Sequence, residues 1–107
     1  MYKVTFYAPP SHVERVKTAM FNAGAGRIGN YDCCAWQVLG VGQFRPLADA
    51  KPFLGTHDVI EQVAEYKVEM VCTKEYIAAA IVALKQSHPY EEPAYDVLEL
   101  AQLNLDA

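Results

Sequence analysis

Apolar and polar residues alternate at the start of the chain, with Val4 and Phe6 set between Lys3, Thr5 and Tyr7. A period of two is that of a strand with one buried face. Pro9-Pro10 closes it, because proline cannot continue a ladder. Ser11 and Glu14 follow at capping-box spacing, where a hydroxyl and a carboxylate each satisfy a free N–H at a helix start. Val13, Val16, Met20 and Ala23 then fall on one helical stripe, and Gly24 supplies the stop. The same order returns in the second half. Val68, Met70 and Cys72 alternate with Lys67, Glu69 and Val71, and Thr73 is the expected N-cap. Ile77, Ala80, Ile81 and Leu84 line one helix face, and Pro89 forbids its continuation.

The two units are copies. Displacing the sequence by 64 lays residues 2–23 on 66–87 without a gap, so that Tyr2-Lys3-Val4 meets Tyr66-Lys67-Val68 and Met20 meets Leu84. A further strand follows each helix, over Tyr31 to Leu39 and over Ala94 to Leu100. The order βαββαβ, with one apolar face per helix, predicts an α+β, ferredoxin-like sandwich: an antiparallel sheet of four strands with both helices on one face. A single domain over residues 1–107 is expected. The sheet's other face must stay wet or find a partner. Between the second and third strands, residues 40–57 read as a long loop, and such loops are usually functional. Phe44 and Phe53 within it argue against disorder.

Composition narrows the class. Residues 1–60 carry six Lys/Arg against four Asp/Glu, whereas residues 61–107 carry three against nine. An acidic half is a poor match for a phosphate backbone, so no nucleic-acid partner is expected. No apolar run is long enough to span a bilayer, and the first residues lack a signal-peptide layout. Three cysteines make no disulfide framework. Together these point to a cytoplasmic protein without a membrane partner.

Four groupings invite chemistry. His88-Pro89-Tyr90-Glu91-Glu92-Pro93 places an imidazole, a phenol and two carboxylates at a helix end. His88 and Glu92 are weak candidates for a divalent metal, the one cofactor the sequence suggests without requiring it. The architectural alternative, a proline-stopped helix with His88 at the negative end of its dipole, weighs more. Cys33-Cys34, placed on a strand, point to opposite faces and cannot share an ion. The run Gly24 to Asn30 has the composition of a phosphate loop but follows a helix instead of preceding one, so it reads as a flexible connection, with Arg27 leaving weak anion binding open. Tyr31, Trp36, Phe44 and Arg45 have the character of an interface or of a pocket for a planar ligand.

Three stretches together carry a family resemblance: Gly24 to Tyr31, Gly40-Val41-Gly42-Gln43-Phe44-Arg45-Pro46, and His88 to Asp96. They are similar to the domain inserted in many bacterial NGG-interacting-factor-three-like proteins (the YqfO group). The second half, ending in His88-Pro89-Tyr90-Glu91, also resembles CutA-like proteins. The resemblance implies a PII/CutA-like fold, often trimeric, with clefts between subunits. In the larger relatives it implies a separate two-metal domain for any hydrolase-like chemistry, and this sequence has no counterpart of that domain. The expected function is a self-assembling ligand-binding or regulatory module without catalysis of its own, partnered by a small molecule or a protein. Its ligand-binding residues would be Tyr31, Trp36, Phe44, Arg45, His88, Tyr90 and Glu92. A CutA-like divalent metal-ion binding protein and a small enzyme with an intersubunit site at His88, Tyr90 and Arg45 are the alternatives.

Overall fold

A computed structural model describes residues 1–105. The elements are β1 (Tyr2–Ala8), α1 (Val13–Asn22), β2 (Trp36–Phe44), β3 (Glu61–Cys72), α2 (Ile77–Ser87) and β4 (Tyr95–Glu99). The four strands form one antiparallel sheet in the order β2-β3-β1-β4. This is the βαββαβ sandwich that the alternation predicts.

Register explains which face is buried. Val4 opposes Met70, and Phe6 opposes Val68, so these residues share one face of the sheet. Val13, Val16 and Met20 of α1 and Ala80 and Leu84 of α2 join them in a single core cluster. Phe6, Met20 and Leu84 are the largest of the fully buried side chains. The opposite face carries Lys3, Thr5 and Tyr7 of β1, and no helix covers it.

β2 and β3 pair from Trp36↔Glu69 to Phe44↔Glu61, which carries the hairpin well beyond the helices. The molecule therefore extends 57 × 24 × 24 Å, with a radius of gyration of 15.5 Å. A compact domain of this length would have a radius of about 13 Å.

Several local expectations are corrected. Strand β2 runs from Trp36 to Phe44, not from Tyr31 to Leu39, so Gly40 to Phe44 belong to a strand and the connecting loop is residues 45–60. Cys33 has φ 55 and lies outside the strand, so face alternation does not govern the two thiols; Cys33 is exposed and Cys34 half-buried. The capping box does not form. Ser11 Oγ bonds His12 Nδ1 at 2.8 Å, Glu14 pairs with Lys17 at 2.9 Å, and His12 itself is the N-cap. Thr73 is not the cap of α2 either: Tyr76 occupies that position, and the Thr73 hydroxyl is buried without a partner among the described residues.

The glycine run is tied down and does not swing freely. Gly24, at φ 112, ends α1, and a Cβ there would strike the Tyr76 ring. Gly26 N–H donates to the Val71 carbonyl at 2.8 Å and Cys34 N–H to the Gly26 carbonyl at 2.8 Å, which fastens the run to the end of β3. Arg27, the anion candidate, lies 5.3 Å from the centre of the Tyr76 ring.

Leu84 fills the core between both helices and the sheet, so Leu84→Ala is expected to cost about 2–5 kcal/mol. Ala79→Lys, on the exposed side of α2, should stay within about 0.5 kcal/mol. Urea unfolding midpoints check this; similar losses for both variants would contradict the assigned helix face.

Candidate functional site

Helix α2 ends at Ser87, whose hydroxyl turns back to donate to the Ala83 carbonyl at 2.7 Å. His88 then adopts extended backbone, as the residue before a proline is biased to do. Its side chain goes inward and is 7% exposed. The β1–β4 ladder stops at Phe6↔Tyr95, and one residue further on His88 Nε2 reaches the Tyr7 carbonyl at 2.7 Å. His88 Nδ1 faces the Tyr90 backbone N–H at 3.1 Å. A backbone N–H can only donate, so Nδ1 must accept and Nε2 must carry the proton. Both nitrogens of a neutral imidazole are thus in use. A metal at His88 would have to displace one of these bonds.

These two hydrogen bonds set Tyr90. Its ring packs against His88 at 4.7 Å between centroids, and against Phe44 and Phe53 at 6.3 and 6.2 Å. Phe53 comes from the 45–60 loop, which is also fixed by the Lys51 N–H donating to Glu91 Oε1 at 3.1 Å. Loop, β2–β3 arm and post-helix motif together enclose a cleft of about 750 Å³. Phe44, Arg45, Phe53, Glu65, Lys67, Tyr90, Glu91 and Glu92 line it.

Two polar groups in the cleft are unusual. The Tyr90 hydroxyl is buried and has no hydrogen-bond partner among the described residues. Glu65 is near enough to perturb it, but the two do not meet in hydrogen-bonding geometry. Burial, and then the charge of Glu65, hold the phenol far above its ordinary range, so it remains a protonated donor. Burial likewise raises the Glu65 carboxyl from its usual 4.5, against the smaller lowering effect of Tyr90. Glu65 lies across Gly42 of the neighbouring strand, and a Cβ at that position would run into its carboxylate.

Of the sequence-based candidates, the structure brings together Phe44, Arg45, Tyr90 and Glu92 around the cleft, with His88 directly behind Tyr90. Trp36 lies elsewhere, in a hollow of about 250 Å³ with Ile28, Cys34 and Glu69. Tyr31 is 75% exposed in a tight turn closed by mutual backbone bonds with Ile28 at 2.9 Å. Glu65, Lys67 and Phe53 join the cleft without any signal in the sequence that marks them as site residues. Among the described residues no three of His, Cys, Asp and Glu stand together as a metal cluster.

The chain is 47% identical over 98 residues to the GTP cyclohydrolase 1 type 2 homolog of Mycobacterium leprae, and 45% identical over 100 residues to that of Bacillus subtilis. These matches take in 92% and 94% of this chain but 26% and 27% of the relatives, so the chain spans about a quarter of the length of the curated relatives it matches. Among solved structures, a Bacillus cereus protein related to NIF3 superposes with a TM-score of 0.81 at 36% identity, over 94% of this chain and 26% of that one. The periplasmic divalent cation tolerance protein CutA from Archaeoglobus fulgidus superposes with 0.68 at 16% identity, over 98% and 89% of the two chains. The latter is a likeness of fold alone. No family model matches the chain.

The buried His88 gives a signed pH dependence. Desolvation, foremost, keeps its folded pKa below the ordinary 6.5; the Tyr7 bond acts against this and the nearby His12 adds to it. The unfolded chain therefore takes up the proton first as pH falls. The stabilisation from neutral His88 is complete above about pH 6.5 and is lost as pH drops from there through the folded value. Urea titrations between about pH 7.5 and 5.5 should show stability falling in the native protein and a flatter profile in His88→Gln. An identical slope in both would contradict a buried neutral imidazole.

Proposed function

We propose that this chain is a ligand-binding or regulatory module that works as a homo-oligomer, with no catalysis of its own, corresponding to the PII/CutA-like region of the NIF3-related (YqfO) proteins it resembles. The observation that carries this reading is the Tyr90 hydroxyl, buried and unbonded on the wall of a cleft and beside a carboxylate. Buried polar groups are nearly always satisfied, and an orphaned one calls for an explanation. A molecule in the cleft supplies the missing partner. The cleft's volume of about 750 Å³ falls within the range of small-molecule sites, as does its mainly apolar and aromatic lining with a few polar groups.

Self-assembly is supported by the uncovered face of the sheet. Trp36 and Val38 on β2 and Leu98 on β4 share that face with Lys3, Thr5 and Tyr7, and are 59, 44 and 58% exposed. These exposed apolar side chains stand on the two edge strands, with Lys3, Lys67 and Glu69 between them, and leave the face open to a partner. A second copy is the proposed cover, with a trimer favoured by the family resemblance and a cytoplasmic setting as the proposed location.

Native mass spectrometry of protein purified without chelator tests both parts. The expected result is an oligomer that retains an organic mass, and loss of that mass in Phe44→Ser. The mass of a single chain at micromolar concentration would contradict the assembly. A stoichiometric metal with no organic mass would favour the divalent metal-ion binding alternative instead.

A further inference from the structure

The cleft presents a donor and an acceptor side by side, and the donor has no hydrogen-bond partner among the described residues. The Tyr90 hydroxyl can donate, and Glu65 keeps an acceptor oxygen in either protonation state. Around this pair the walls are flat. Phe44 and Phe53 flank the Tyr90 ring, with interplanar angles of 48° and 45° to it. The floor contributed by β2 includes Gly40 and Gly42, which have no side chains, and Glu65 can lie across the strand only because position 42 is glycine.

Resting on the ligand-binding reading above, we propose that this cleft takes a flat heterocycle through a lactam edge, an N–H next to a C=O. The ring N–H donates to the Glu65 carboxylate, and the ring carbonyl accepts from the Tyr90 hydroxyl. The aromatic walls hold the ring by stacking and edge contacts, which are selective for planarity and tolerant of outline. The donor–acceptor pair supplies the selectivity, because a ligand lacking the matching edge leaves both groups desolvated and unpaired. Lys67 is paired at 3.4 Å with Glu69, a carboxylate it shares with Lys3 at 2.7 Å. Glu65 itself opposes an anion at the same place.

The test uses three probes with the same bicyclic outline, titrated by calorimetry or ligand-observed NMR: 2-quinolinone, its N-methyl derivative, and quinoline. The lactam should bind at least about tenfold more tightly than either of the others, the usual scale for one well-made hydrogen bond to a charged group. Glu65→Met should abolish the preference over the N-methyl derivative, and Tyr90→Phe should weaken both carbonyl-bearing probes together. Equal binding of the lactam and quinoline would overturn the lactam assignment while leaving the ligand cleft intact. Unaltered preference in Glu65→Met would overturn it as well. Binding of none of the probes would also defeat it, and the retained-mass measurement above then decides separately whether the cleft holds another kind of ligand.

Discussion

One imidazole holds the site together. His88 is neutral, donates from Nε2 to the Tyr7 carbonyl and accepts at Nδ1 from the Tyr90 N–H. These two bonds join the end of α2, the end of β1 and the start of the segment leading to β4. Each bond is modest in net terms, yet losing either would leave a buried polar group unpaired, which is the larger cost. The prolines on both sides of the segment limit the backbone conformations in which the two bonds can be made. The Tyr90 ring is therefore placed by its backbone and by His88, and its hydroxyl does not have to anchor it. The hydroxyl is left over for something else.

The other half of the site depends on length. β3 begins at Glu61, so Glu65 lies on the part of the arm that reaches beyond the helices. There β2 carries glycine at 40 and 42, and the Glu65 side chain can fold across its neighbour toward Tyr90. The 45–60 loop returns from the tip of the arm and brings Phe53 against Tyr90 and within 5.4 Å of His12, measured between ring centroids. An arm ending near Leu39 could not form this cleft, because neither Gly42 nor Phe44 would be in the sheet.

The fold was readable from the sequence wherever a periodic apolar face meets the core. Val4 and Phe6, then Val13, Val16 and Met20, then Val68, Met70 and Cys72, and Ala80 and Leu84 are all buried as their spacing requires. The readings that failed depended on local chemistry that tertiary contacts override. Gly40 and Gly42 look like strand breakers but lie in β2, where their missing side chains make room for Glu65. Ser11 is diverted by its neighbour His12, and Glu14 by Lys17, so neither caps the helix. Of the site, the motif at 88–93 and the pair Phe44-Arg45 were visible as dense, chemically distinctive stretches. Glu65 was hidden because it precedes the first clear alternation at Tyr66, and a lone glutamate carries no sign of the tyrosine it will meet. Trp36 and Tyr31 are aromatic for reasons other than this cleft, and composition alone could not separate them from Phe44.

The protonation state of His88 in the folded protein, read from long-range proton–nitrogen correlations of its imidazole at neutral pH, bears most directly on how the site is held. A single neutral form is expected, with the proton on Nε2 and a bare, hydrogen-bonded Nδ1, and this form should persist below pH 6.5, the ordinary histidine pKa. A proton on Nδ1, or an imidazolium already dominant near that pH, would contradict this expectation, since Nδ1 could then not accept from Tyr90 and the placement of the cleft's phenol would need another cause.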